Sequence, residues 1–245
     1  MESLRIVANP AHAIILFCHI ILLVTWLGVD LGVFISSFFL RNPKYPINER
    51  LMVGRIAGIL DMGPRASLLL VYPTGAWLAW IGGWGFTEPV GPFNPLAQLV
   101  LISSIFLVWE ILVWIQFWGH RQILNGQTSQ TLEAFLTRYR RYDIYARWIL
   151  ATLLIGDGIL GILGHGFIDQ PWLGWKVLLF GMIVVQGIAI RWAADAWPAL
   201  IRDIVDHGST PRREAALNQA MRRAYPFVVV IYTLILAISM IGILK

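Results

Sequence analysis

Residues 11–40 read AHAIILFCHIILLVTWLGVDLGVFISSFFL, thirty positions with a single formal charge at Asp30, and this run decides the fold. A helix needs about 20 mainly apolar residues to cross the hydrocarbon core of a bilayer. The run is longer, so it tilts or protrudes. It carries two histidines seven residues apart, His12 and His19. At ~1.5 Å per helical residue, His19 lies about 10 Å deeper than His12, inside the hydrocarbon. An ionisable side chain at that depth is costly and marks a functional position by default. The alternative is a histidine that packs on a neighbouring helix and hydrogen-bonds a carbonyl.

The rest of the chain extends the same pattern. Only 13% of the 245 residues are charged, about half the usual share of a soluble domain. Further apolar runs at roughly 54–82, 96–119, 143–166, 172–198 and 222–244 predict an all-α integral membrane bundle of about six transmembrane helices in a single domain, 1–245. Many of the 12 Trp fall where a span meets a loop, as an aromatic belt requires. No polar stretch is long enough for a separate soluble domain, so the net charge of +5 reads as basic loops against one membrane face and not as nucleic-acid binding. Cys18 is the single cysteine and lies within a span, which excludes a disulfide framework or a CxxC centre. The first apolar run is too long for a cleavable signal peptide and lacks a small-residue cleavage site.

Loop charges set the expected orientation. The connection after span 1 holds Arg41, Lys44, Arg50 and Arg55; the one after span 3 holds Arg121, Arg138, Arg140 and Arg141; the one after span 5 holds Arg202, Arg212, Arg213, Arg222 and Arg223. The connections near 83–95 and 167–171 contain no Lys or Arg. The positive-inside rule then makes the three basic connections cytoplasmic and both termini periplasmic, in a bacterial inner membrane. The outer segment Gly82–Pro92 is all turn formers and aromatics and reads as a re-entrant or surface loop. Asn125–Arg141 begins with polar turn residues and then spaces Leu132, Phe135, Leu136 and Tyr139 amphipathically, predicting a short interfacial helix before span 4. Thr210 and Pro211 read as the N-cap and first position of another helix.

Topology brings distant residues to one depth. His12, His19, His165 and Lys176 fall in the outer half of the bilayer on three different spans, with Asp157 about 12 Å below His165. Lys176 sits one turn below the boundary beside Trp172 and Trp175, where it either snorkels to the headgroups or serves a site. Gly156, Gly158, Gly161, Gly164 and Gly166 leave room for a flat cofactor or for close helix packing. Deeper or on the inner side lie Asp30, Glu110 and two i,i+4 pairs, Asp61 with Arg65 and Arg191 with Asp195. These are structural ion pairs, or else Asp30, Asp61 and Glu110 form a proton path and Arg65 a propionate clamp. Pro64 and Pro73 are expected to bend span 2. No HExxH, Cys-rich or Met-rich pattern, P-loop or nucleophile elbow occurs, and a copper transporter would favour soft sulfur ligands. A haem needs only one or two axial ligands, commonly imidazole.

The segment from His19 to Gly28, with Trp26 near its end, resembles the first helix of the HemJ-type protoporphyrinogen oxidases and the CopD-like membrane proteins related to them. Arg50-Leu51 and Pro64 are similar to that family's second helix, Trp175-Lys176 to its helix with an intramembrane lysine, and Arg223-Ala224-Tyr225-Pro226 to the entry of its last helix. After Trp26 the chain reads Leu-Gly-Val-Asp-Leu-Gly-Val-Phe, where the HemJ pattern has aromatics followed by an Arg. The chain also exceeds a four-helix core, by spans 3 and 4. The resemblance implies haem b, with His19 as axial ligand and Lys176 as a functional residue.

The expected protein is therefore a b-type haem-binding membrane redox protein. Its iron is held by His19, with His165 or His12 as the next candidate ligand and Lys176 either ligating or pairing with a propionate. It passes electrons between a substrate or partner protein and the quinone pool, and protoporphyrinogen oxidation would be the enzymatic version. The alternatives are a CopD-like copper permease and a non-catalytic membrane anchor of a redox complex. The implied partners are the lipid bilayer, a quinone or redox protein, and a second copy of the chain.

Overall fold

Helix starts follow the capping chemistry of the sequence. Asn9 Oδ1 accepts from the Ala11 N–H at 3.0 Å with Pro10 in the first position, and Ser129 Oγ accepts from the Leu132 N–H at 3.1 Å. Thr210 Oγ1 accepts from the Arg213 N–H at 3.4 Å ahead of Pro211, as expected. Such caps satisfy amide groups that would otherwise be orphaned. The computed structural model describes residues 9–124 and 129–244. Within them the helices are α1 (Pro10–Leu40), α2 (Ile47–Leu60), α3 (Met62–Ile81), α4 (Pro95–Leu124), α5 (Gln130–Ile162), α6 (Pro171–Ala194), α7 (Trp197–His207), α8 (Pro211–Arg222) and α9 (Tyr225–Leu244). No strand longer than an isolated bridge occurs among the described residues.

The all-α membrane bundle is what forms. Five helical segments, built on α1, α4, α5, α6 and α9, are long and apolar enough to cross a membrane. The expected span 54–82 differs: it divides at Asp61 into α2 and α3. Pro64 has no N–H to offer the Leu60 carbonyl, and its ring crowds that carbonyl, so the helix cannot run straight through. At 20 residues α3 is still about 30 Å long. Its neighbours cover much of it: Met62, Pro64, Leu69, Val71, Pro73, Ala76, Leu78 and Ala79 are all buried. In α1, by contrast, only Trp26 is buried, and the remaining face is hydrophobic surface suited to lipid.

Two further expectations are corrected. No separate interfacial helix precedes span 4, because α5 runs unbroken for 33 residues from Gln130. Asn125–Thr128, the polar turn expected ahead of it, lies outside the described residues. At its other end α5 stops at Ile162, so Leu163–Gly166 form a turn, with Gly164 and Gly166 at positive φ.

The loops sort to two ends. At one end Arg50 binds Glu214 through both guanidinium nitrogens at 2.8 and 2.9 Å, Arg41 donates to Asn218 at 2.7 Å, and Arg140 reaches Asp195 at 2.6 Å. These contacts gather all three basic connections. At the opposite end the two connections without Lys or Arg are tied together: the Phe86 N–H donates to Phe167 O at 2.7 Å, the Asp169 N–H to Trp84 O at 2.9 Å, and Thr87 Oγ1 to Asp169 at 2.9 Å. Phe86 adopts φ 57°, a conformation costly for a bulky residue. It is held there by that bond to Phe167 and by burial against Ala76, Ala79 and Leu99.

Between the ends, Trp26, Val71, Leu154, Phe180, Ile183, Val184, Ile231 and Ile235 form the core where α1, α3, α5, α6 and α9 meet. Glycines set the α5–α6 seam. A Cβ on Gly158 would stand 2.5 Å from the Leu178 backbone nitrogen, one on Gly174 2.7 Å from that of Ile162, and one on Gly181 2.8 Å from Ile155 Cγ1. Gly158 and Gly161 thus serve close helix packing and leave no space for a cofactor there.

Candidate functional site

The polar residues inside the bundle separate into two layers. In the outer one, His19 projects from α1 onto α3, its Nδ1 2.9 Å from Thr74 Oγ1. The Thr74 hydroxyl is itself 3.0 Å from Leu70 O and 2.9 Å from Val71 O, both pure acceptors. With the Thr74 proton on one of those carbonyls, Nδ1 donates to Oγ1 and Nε2 keeps its lone pair; with that proton on Nδ1, the roles reverse. The ring lies over Gly75, where a Cβ would come 3.3 Å from Cε1. Lys176 on α6 is close enough for its charge to act on the imidazole. Its Nζ sits 5.8 Å above the Trp172 ring and packs on α9 at Gly242.

The other outer residues do not join this pair. His12 is half-buried in the first turn of α1, and His165 is exposed in the turn beyond α5. Asp157 is near enough for its charge to act on Tyr72, and its Oδ1 is buried without a hydrogen-bond partner among the described residues.

The inner layer is a belt of charge. Asp143 on α5 is its centre, with a side chain 0% exposed. It accepts from Arg147 Nε at 3.0 Å, Arg191 Nη1 at 2.6 Å and Trp109 Nε1 at 2.7 Å. The Arg147 guanidinium also lies over the Trp109 ring, 5.5 Å from its centroid. Arg65 pairs with Asp61 as expected and acts electrostatically on Arg191. Asp30 stands beside Asp61 and the Tyr232 hydroxyl, and Glu110 lies within reach of the Arg147 charge. Asp30, Asp61 and Arg65 are thus brought together, and Glu110 enters the belt from its other side. Arg65 is nine residues from Thr74 along α3, about 13 Å from the His19 level.

The expected pairing of Arg191 with Asp195 is replaced. Arg191 turns inward to the fully buried Asp143, and Asp195, 68% exposed, is taken by Arg140. A guanidinium gains more from a desolvated carboxylate than from one already in water. Asp143, Arg147 and Trp109 were missed as site residues. Their sequence signal was present in the i,i+4 spacing of Asp143 and Arg147, at the edge of the run assigned to span 4.

The donor set decides what the outer layer can hold. His19 has the chemistry of an axial ligand: the imidazole is oriented through Nδ1 by Thr74, and a hydrogen bond at the other ring nitrogen fixes metal-binding histidines generally. Among the described residues no three His, Cys, Asp or Glu side chains converge. Two surface depressions, about 470 Å³ between α4 and α5 at Trp114 and Trp118 and about 430 Å³ at the basic end beside Lys44 and Arg50, both lie away from His19. No protein-family model, curated protein or solved structure matches the chain.

Proposed function

We propose that this protein is a membrane redox protein carrying a b-type haem on His19 and passing electrons between a substrate or partner protein and the quinone pool. The observation that carries the reading is the contact between Nδ1 and Thr74 Oγ1, which holds the ring of an intramembrane histidine and leaves Nε2 outside that bond. His19 would bind the iron, Thr74 would hold the ring at its angle, and Lys176 would face a propionate at the membrane boundary. A haem there supplies a one-electron couple. We place the basic end in the cytoplasm and the His19 layer on the periplasmic side of a bacterial inner membrane, because basic loops are retained inside.

An absorption spectrum of the purified protein, oxidised and reduced, tests this. A reducible Soret band that disappears in His19→Ala is expected, and a colourless preparation from haem-replete cells overturns the reading. Thr74→Val, which keeps the shape and removes the hydrogen-bond partner of Nδ1, should weaken haem retention about 10–100-fold.

A further inference from the structure

The inner belt does not balance in charge. Four acids, Asp30, Asp61, Glu110 and Asp143, face three arginines, Arg65, Arg147 and Arg191. In a low-dielectric interior an uncompensated carboxylate is expensive, and protonation is the usual remedy. Asp61 is engaged by Arg65, and Asp143 by two arginines and an indole. Asp30 is half-buried beside the Tyr232 hydroxyl. Glu110 differs from all three. It is 6% exposed, and neither carboxylate oxygen has a hydrogen-bond partner among the described residues.

Its surroundings explain why. Phe106, Glu110 and Val113 share one face of α4, and the flanking pair packs into an apolar seam with Met62 and Leu69 of α3. From α5 only the Arg147 charge reaches Glu110, and Arg147 already bonds Asp143. The Trp114 indole lies beside the carboxyl outside hydrogen-bond geometry. We propose that Glu110 is a proton-binding site: it holds a proton in the resting protein, which brings the belt to neutrality. The step is O–H formation alone, and no electron moves. It stands whether or not His19 binds haem.

A hydrophobic carbodiimide reads this directly, because it adds to protonated carboxyls in apolar surroundings. The acid proton passes to a carbodiimide nitrogen, the carboxyl oxygen bonds the central carbon, and the acyl group then migrates to nitrogen. Nothing leaves, so the peptide gains the mass of one reagent. With the full-length protein in liposomes at about pH 7, well above the ordinary carboxyl range, dicyclohexylcarbodiimide should label Glu110, a water-soluble carbodiimide should not, and Glu110→Gln should abolish the label. Label on Asp30 instead, or equal labelling by the water-soluble reagent, overturns the proposal. If no label forms, infrared spectroscopy decides: a protonated-carboxyl C=O band lost in Glu110→Gln supports it, and a spectrum without that band, or with one that survives the substitution, overturns it.

Discussion

The two polar layers of this bundle solve opposite problems. The inner belt brings seven ionisable side chains from α1, α3, α4, α5 and α6, together with the Asp61 junction, into mutual range, and its centre is fully desolvated. The outer layer has one imidazole, one hydroxyl and one ammonium, arranged on the edge of the bundle where α1 faces mostly outward. A desolvated network is expensive to break, because every member removed leaves another charge buried without its partner. A half-buried histidine making one hydrogen bond contributes little to the fold. The inner belt therefore reads as the element that holds the helices in place, and the outer layer as the element free to hold something else.

Asp143→Ala attacks the stronger side of that contrast. It leaves Arg147 and Arg191 buried without their shared carboxylate and should cost about 3–5 kcal/mol, seen as a fall in Tm in detergent or as loss of folded protein. If Tm is unchanged, the belt is not structural.

The Arg50–Glu214 pair is a second buried ion pair, at the basic end of the bundle and outside the spans. Arg50 is 2% exposed, so Arg50→Met should cost about 3 kcal/mol. Burial pushes the Glu214 carboxyl up, but hydrogen bonds from Arg50 and Ser209 outweigh it and hold it below its usual range. A lowered carboxyl contributes stability that is full above its unfolded value, about 4.3, and is lost as pH falls through the lower native value. Acid titration of unfolding should show that loss, and Glu214→Gln should remove it.

The glycine seam gives a smaller, paired effect. Gly158→Ala drives a methyl into the α6 backbone and should cost about 1–3 kcal/mol. Gly156→Ala, which meets nothing within 4 Å, should be neutral or gain up to about 1 kcal/mol of helix propensity. Equal effects on thermal unfolding would remove the backbone-packing account of the seam. His19→Ala should be the mildest change in stability, about 1 kcal/mol for one hydrogen bond, while abolishing any chromophore. A large loss of Tm in that variant would place His19 with the structural residues and erase the contrast between layers.

Much of this was readable in the chain. Apolar runs of spanning length located α1, α4, α5, α6 and α9 to within a few residues at most ends, and Pro64 marked the place where span 2 breaks. Loop charge sorted five connections into the two ends that the Arg50–Glu214 and Phe86–Phe167 contacts join. Asp61 and Arg65 paired as i,i+4 spacing suggested. The same spacing failed for Arg191 and Asp195, because a side chain's best partner depends on burial, and burial belongs to the packed bundle. It failed in the other direction for Asp143, whose weight comes from α4 and α6 as much as from its own helix.

The sequence by itself determined that this is an all-α membrane bundle, where five of its spanning segments run, which loops share an end, and that His19, Lys176 and Glu110 are ionisable groups within spans. Those properties follow from local composition, since lipid selects length and hydropathy one helix at a time. Only the tertiary structure decided that Thr74 holds the His19 ring, that Arg191 belongs to Asp143, that the glycines of α5 meet the α6 backbone, and that the Glu110 carboxylate has no hydrogen-bond partner among the described residues. Each of these depends on what the neighbouring helix presents at the same depth, a relation between residues tens of positions apart that no local pattern encodes.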